Sequence, residues 1–175
     1  SPTNSGLANV RVDMLQYRNS DRTIVAATHG RGLFTAVVPS VTTPDINFSI
    51  ATITVSEQAA VVDGCRTYTD YPVLLTIANP PIGNATVTVN VEAGATATPG
   101  TDYNYTTNGS FTSPANTVIF ATGGTESKTV RIGGYNDAQV ESQETFTLSY
   151  AISGSTNAQA GIAAQTHVVT ITDND

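Results

Sequence analysis

The chain has 175 residues, of which 12% are charged and 39% are hydrophobic, so it is long and apolar enough for one sizeable domain plus an appendage. Its 14 acidic and seven basic residues give a formal net charge of −7. This balance argues against a nucleic-acid partner, and the lack of any apolar run of about 20 residues argues against membrane insertion. Abundant Thr, Val, Gly and Asn predict an all-β protein.

The charge is unevenly distributed along the chain. Residues 1–40 contain four arginines and two aspartates, a net charge of +2, whereas the remainder has three basic and twelve acidic residues, a net charge of −9. Two pieces of different composition are therefore joined. We predict a β-strand extension at residues 1–38, a linker rich in Pro, Ser and Thr at 39–45, and a separate domain at 46–175.

Three short strands are predicted in the extension. Hydrophobic residues recur at every second position from Val10 to Met14, and a turn at 18–21 leads to a second strand at 23–27. The glycine-rich sequence 29–32 then bends the chain into a third strand that ends at Val38. Three short strands cannot bury a core alone, so we expect them to pack on a neighbouring domain or on another copy of the chain. The alternative is that they fold back onto the sandwich of the same chain.

The remaining sequence is a series of short strand-like runs separated by turn residues. Alternation is clear at 86–91, where valines face one side and polar residues the other. Runs are predicted at 46–55, 71–78, 85–92, 103–107, 117–121, 127–133, 144–153 and 167–172. Seven or eight such strands predict an immunoglobulin-like β-sandwich of two sheets.

Carboxylates occur at the ends of these strands and in the loops between them. The candidates are Glu57, Asp102, Asp137, Glu141, Glu144, Asp173 and Asp175. A sandwich could gather them at one end, where they would repel one another unless a cation neutralised them. Oxygen ligands without His or Cys favour Ca²⁺. The alternative is that each acid is a solvated surface charge.

Four motifs occur in an order that resembles the Calx-beta family. They are Val55-Ser56-Glu57, Gly100-Thr101-Asp102-Tyr103, the Glu-x-x-Glu-x-Phe pattern at 141–146, and Ile171-Thr172-Asp173-Asn174-Asp175. The resemblance covers residues 46–175 and implies a Calx-beta sandwich. It also implies that the seven carboxylates named above are calcium ligands.

Two departures from the family pattern reduce the expected charge of this site. Asn136-Asp137-Ala138 stands where calcium-sensing members have a run of acids, and Asn174 interrupts the terminal acidic motif. Because calcium affinity follows ligand charge, we expect one or two structural Ca²⁺ ions rather than a larger regulatory cluster. A site that binds no ion remains the alternative.

The extension resembles a different fold. Residues 22–34, which include Thr28-His29-Gly30-Arg31-Gly32, are similar to the closing strands of sialidase- or sortilin-type β-propellers. The match covers about 30 residues, too few for a complete blade with its neighbours. Glycines on both sides of Arg31 favour a tight turn over a catalytic role for His29 and Arg31.

These observations predict a non-catalytic, calcium-binding structural or adhesion module of a secreted or cell-surface bacterial protein. No nucleophile elbow, zinc-protease motif or phosphate loop is present. Two alternatives remain: a fibre subunit assembled by strand addition through residues 7–38, and an accessory domain of a secreted hydrolase. A lone cysteine, Cys65, excludes a disulfide within one copy, so it is either a buried thiol or bonded to another chain.

Overall fold

The computed structural model describes residues 11–40, 42–57, 61–63 and 66–174. Fourteen strands and no helix lie in these residues, which confirms the all-β class. The predictions for residues 1–10, Cys65 and Asp175 fall outside them. The chain divides into two compact units, Ser1–Thr42 and Thr43–Asp175.

The first unit contains a three-stranded antiparallel sheet. Its strands are β1 (Val12–Arg18), β2 (Thr23–Thr28) and β3 (Gly32–Val37), in that order across the sheet. Gly30 and Gly32 have φ values of 82° and 87°, a left-handed conformation that glycine adopts without strain, and they form the turn predicted between β2 and β3. The His29 ring lies in this turn, 3.5 Å from the Asp13 carboxylate.

The second unit is a sandwich of two sheets. One sheet has the strand order β10-β8-β12-β14-β5, and the other has the order β13-β4-β7-β11-β9 with β6 paired to β7. The strands are β4 (Asp45–Phe48), β5 (Thr52–Ser56), β6 (Val61–Asp63), β7 (Arg66–Ile77), β8 (Ala85–Val91), β9 (Tyr103–Thr106), β10 (Thr117–Phe120), β11 (Lys128–Tyr135), β12 (Glu144–Ser153), β13 (Gln159–Ala160) and β14 (His167–Thr172). The predicted immunoglobulin-like sandwich is confirmed.

Alternating side chains from both sheets form one hydrophobic core. On β8 the residues Ala85, Val87 and Val89 are buried while their neighbours face outward, as the sequence alternation predicted. The largest fully buried hydrophobic side chains are Tyr103, Phe120, Phe146, Ile46, Leu75, Ile132, Leu148 and Ile171.

His167 is one of the buried polar residues of the sandwich. The His167 ring is fully buried beside Phe48, with centroids 5.6 Å apart, and its Nδ1 lies 2.9 Å from the Ile50 carbonyl oxygen. Burial lowers the pKa of His167, so the ring is held neutral and donates a hydrogen bond to that carbonyl. His167 therefore has a structural role.

The strand predicted at 46–55 is wrong in one respect, because it is two strands in different sheets. β4 pairs with β7, whereas β5 pairs in parallel with β14 in the other sheet. Residues 49–51 connect the two sheets, and the exposed Ile50 breaks the inward alternation there. Asp45, assigned to the linker, instead begins β4.

Three further strands differ from the prediction by more than two residues or were not predicted. β7 begins at Arg66 rather than Tyr71, because its polar first half pairs with β6 and β11. Neither β6 nor β13 was predicted. Both are two or three residues long and form at positions that only the partner strand defines.

Candidate metal centre

Six of the seven predicted ligands lie in described residues, and strand direction brings them to one end of the sandwich. β5 and β14 run in parallel toward this end, where β11 also ends and β12 begins. We call the group the acidic pole: Glu57, Asp102, Asp137, Glu141, Glu144 and Asp173. The seventh predicted ligand, Asp175, lies outside the described residues.

Asp102 is held rigidly by the turn before β9. Its backbone NH donates to the Thr98 carbonyl at 3.0 Å, and its carboxylate accepts a hydrogen bond from the Thr98 backbone NH. Gly100, with φ of 81°, permits this turn. The Tyr135 NH of β11 donates to the Asp102 carbonyl at 2.8 Å. Asp102 is therefore buried and fixed where β9 meets β11.

Asp102, Glu141 and Glu144 form the centre of the pole. One carboxylate oxygen from each lies within 4.8 Å of the others, close enough for a single cation to contact all three. The Glu141 backbone NH donates to Asp173 Oδ2 at 2.8 Å, which ties the β11–β12 loop to the residues after β14. Three of the predicted ligands are therefore brought together directly, and Asp173 is linked to them.

Glu57 is the most deeply buried carboxylate of the pole, with 4% of its surface exposed. Its Oε2 is buried and has no hydrogen-bond partner in the part of the chain that the structure describes. Burial is the main reason that the pKa of Glu57 is raised to about 7, and repulsion from Asp173, Glu141, Asp137 and Asp102 adds to the shift. A buried carboxylate in this state is costly unless a cation compensates it.

Glu144 is half-buried, but its Oε2 is buried and has no hydrogen-bond partner among the described residues. The pKa of Glu144 is raised to about 7, first by burial and then by contact with the Asp102 carboxylate. Loss of hydration likewise raises the pKa of Glu141, with repulsion from Asp102, Asp137 and Asp173 adding to it. The charged groups that shift these three glutamates are all carboxylates.

Asp137 occupies a different position from the other acids. It is exposed in the β11–β12 loop, and its Oδ1 accepts a hydrogen bond from the Gln139 NH at 2.8 Å. Its charge nonetheless contributes to the raised pKa of Glu57. Asp137 therefore belongs to the pole but lies outside the three-carboxylate centre.

One contact at the pole was not predicted. Asn174 Nδ2 donates to Asn136 Oδ1 at 3.0 Å, which joins two residues 38 positions apart. The sequence identified both asparagines as departures from the Calx-beta pattern. It gave no signal that they touch, because their pairing depends on the position of β14 relative to the β11–β12 loop.

The donor set fits a hard divalent cation. The ligands are carboxylate oxygens, two of which are buried without a partner, and Ca²⁺ accepts six to eight such oxygens in flexible geometry. Glu57, Asp102, Glu141, Glu144 and Asp173 are the residues that would hold it.

No protein-family model matches the chain, and no curated protein matches it. Solved structures do. CBD12 from CALX1.2 is 20% identical with a TM-score of 0.54, over 75% of this chain and 44% of that one. The apo-form Calx CBD1 domain is 21% identical with a TM-score of 0.52, over 77% and 100%. The calcium binding domain CBD12 of CALX1.1 is 20% identical with a TM-score of 0.51, over 74% and 44%.

This chain therefore spans less than half the length of the two CBD12 structures and all of CBD1. At these identities the similarity establishes the fold. No helix among the described residues is long and apolar enough to cross a membrane. The chain contains a β-sandwich of the kind found in the Calx domains CBD1 and CBD12.

Proposed function

We propose that residues 43–175 form a calcium-binding module whose ion stabilises the acidic pole. The observation that carries this proposal is the convergence of Asp102, Glu141 and Glu144 within 4.8 Å, beside the buried Glu57. Like charges at this separation repel strongly in a partly desolvated site, and a divalent cation turns that repulsion into attraction.

The structural neighbours support the same cation. CBD12 of CALX1.1, which shares this fold, is a calcium binding domain. The chemistry of the pole agrees independently, since it offers oxygen donors only and has no His or Cys among its members. The fold and the donor atoms therefore both favour Ca²⁺ as the ligand.

The module's role is structural and non-catalytic, in a secreted or cell-surface bacterial protein. Calcium stiffens the end of a sandwich that spaces or attaches other parts of that protein. The Calx-beta resemblance and the acidic composition support this placement. No observation favours fibre assembly or a hydrolase accessory role over it.

The first prediction is that calcium raises the melting temperature of the full chain relative to EGTA. An ion that binds only the folded state stabilises it by about 2.7 kcal/mol at 100 times its Kd. Near-UV circular dichroism is a suitable probe, because six of the seven tyrosines lie in residues 43–175. Magnesium at the same concentration should have a smaller effect, since it prefers a strict octahedron with retained waters.

Variants locate the site. Glu144→Gln should greatly reduce the calcium-induced shift, because it removes one charge from the centre of the pole. Glu126→Gln is the matched control, since Glu126 is exposed and pairs with Lys128. Melting curves that coincide in EGTA and in millimolar calcium would refute the proposed function.

A further inference from the structure

Two neutral side chains stand among the charges of the acidic pole. Asn136 follows β11 and precedes Asp137, while Asn174 follows Asp173. Their amide groups are hydrogen-bonded at 3.0 Å, and the bond links the β11–β12 loop to the segment after β14. Each asparagine is thus adjacent in sequence to a carboxylate of the pole.

The same two segments are joined by a second hydrogen bond of a different kind. It runs from the Glu141 NH to Asp173 Oδ2, at 2.8 Å. This bond uses a carboxylate oxygen, for which a bound cation would compete. The Asn136–Asn174 bond joins two uncharged amides and uses no carboxylate.

The bond depends on the amide chemistry of both residues. A carboxylate has no donor when ionised, so two aspartates at these positions could not bond to each other. They would also add two negative charges to a pole that already raises the pKa of Glu57 and Glu144 to about 7. Neutral amides therefore stabilise the calcium-free structure. They also lack the negative charge that would strengthen calcium binding.

We propose that the Asn136–Asn174 pair is a metal-independent latch, which keeps the β11–β12 loop bonded to the segment after β14 without calcium. Because its two amides are uncharged, the pair also limits calcium affinity. The second half of this inference rests on the proposed calcium function. The first half does not, because it concerns the calcium-free protein.

Asn174→Ala tests the latch in the full chain. We expect it to lower the melting temperature in EGTA by roughly 2–4 °C, the effect of one lost hydrogen bond in a domain of this size. In saturating calcium the decrease should be less than half as large, because the ion then holds the same segments. Amide hydrogen exchange in residues 136–141 should also accelerate in EGTA.

Asn79→Ala is the matched control for this variant. Asn79 Nδ2 donates to the Thr43 carbonyl at 2.9 Å, a bond of similar length. Asn79 lies just after the end of β7, away from the acidic pole. Its loss should lower the melting temperature equally with and without calcium. If calcium stabilises the original chain and Asn174→Ala behaves in that way too, the latch is refuted; it is also refuted if Asn174→Ala has no effect in EGTA.

The double variant Asn136→Asp/Asn174→Asp tests the link to affinity. Titration calorimetry should show calcium binding at least several-fold tighter than in the original chain, with a lower melting temperature in EGTA. Asn79→Asp/Ser155→Asp removes the Asn79 hydrogen bond and adds the same charge away from the pole, so it should leave the calcium affinity unchanged. Unchanged or weaker calcium binding in the pole variant would overturn the affinity half of the inference.

The two proposals fail in different ways. If calcium does not stabilise the original chain, but Asn174→Ala still lowers the EGTA melting temperature and accelerates amide exchange in residues 136–141, the calcium function is wrong and the latch stands. If calcium stabilises the chain and the two alanine variants respond alike, the latch is wrong and the calcium function stands.

Discussion

Individual carboxylates of the acidic pole are stabilised as neutral acids when no cation is present. Glu57 and Glu144 have a pKa of about 7 in the folded chain against an ordinary value of 4.5. A folded-state pKa above the unfolded value means that these groups favour folding below about pH 4.5. This contribution is lost as the pH rises from 4.5 to about 7. Ionisation of the pole therefore opposes folding near neutral pH.

Calcium should counteract the loss of stability that ionisation of the pole causes, and this gives the second prediction. We expect the EGTA melting temperature to fall between pH 5 and pH 7.5, and the difference between calcium and EGTA to widen over the same interval. Glu57→Gln mimics the protonated side chain, so its EGTA profile should be flatter than that of the original chain. A calcium effect that is equal at pH 5 and pH 7.5 would contradict this linkage.

At the scale of strands, the pole depends on an aromatic contact between the two sheets. Phe146 of β12 stacks on Tyr103 of β9, with ring centroids 3.6 Å apart and planes inclined by 7°. Asp102 directly precedes Tyr103, and Glu144 lies two residues before Phe146 on the same strand. The ring pair therefore fixes the separation of two carboxylates at the centre of the pole.

Phe146→Leu is the third prediction. It should destabilise the chain by about 1–2 kcal/mol, because the ring contact is lost while most of the volume is kept. It should also reduce the calcium-induced rise in melting temperature. Phe120→Leu is the control: Phe120 is equally buried, on β10, where it pairs with the beginning of β8. That variant should destabilise the chain and leave the calcium shift intact, and equal calcium shifts in both would disprove the coupling.

Local patterns predicted most strands and failed where pairing decides the structure. β14 alternates in burial along its whole length, and β8 does so from Ala85 to Val89. The change of sheet at 49–51 is not encoded in residue type, because Ile50 looks like a continuation of the strand until the neighbouring sheets are known. β13 exists only because its two residues pair with β4.

The candidate site was predictable in part for the same reason. Motif residues identified the acids, and their positions at strand ends predicted that they would meet. Which of them share one centre, and that Asn136 bonds to Asn174, depends on distances between loops that are far apart in sequence.

At the scale of the whole molecule, the two units differ in how they are stabilised. The hydrophobic core runs from Ile46 to Ile171 and lies entirely in the second unit. The first unit leaves large hydrophobic side chains exposed: Val12, Met14, Leu15, Tyr17, Leu33 and Val37. That its strands pack on a neighbouring domain or another copy stays a prediction, since exposed faces and edges of this kind favour association.

The fourth prediction is that residues 43–175 fold without the first unit and keep the full calcium response. The complete core is retained, so the melting temperature should change by no more than a few degrees. Light scattering on the full chain and on this fragment then measures association through β1–β3. A fragment that is unfolded in calcium would show that the first unit is needed for the sandwich. If both proteins are monomers, association between copies is excluded.

The parallel pairing of β5 with β14 also has a mechanical consequence. Five residue pairs, from Thr52–Val168 to Ser56–Thr172, join these strands, and both strands run toward the acidic pole. Tension applied between Thr43 and Asp173 pulls β5 away from the pole and β14 toward it. The strands must then slide past each other, so their hydrogen bonds bear the load together instead of opening one at a time. A cation held by Glu57 and Asp173, at the ends of these two strands, would pin the same ladder against shear.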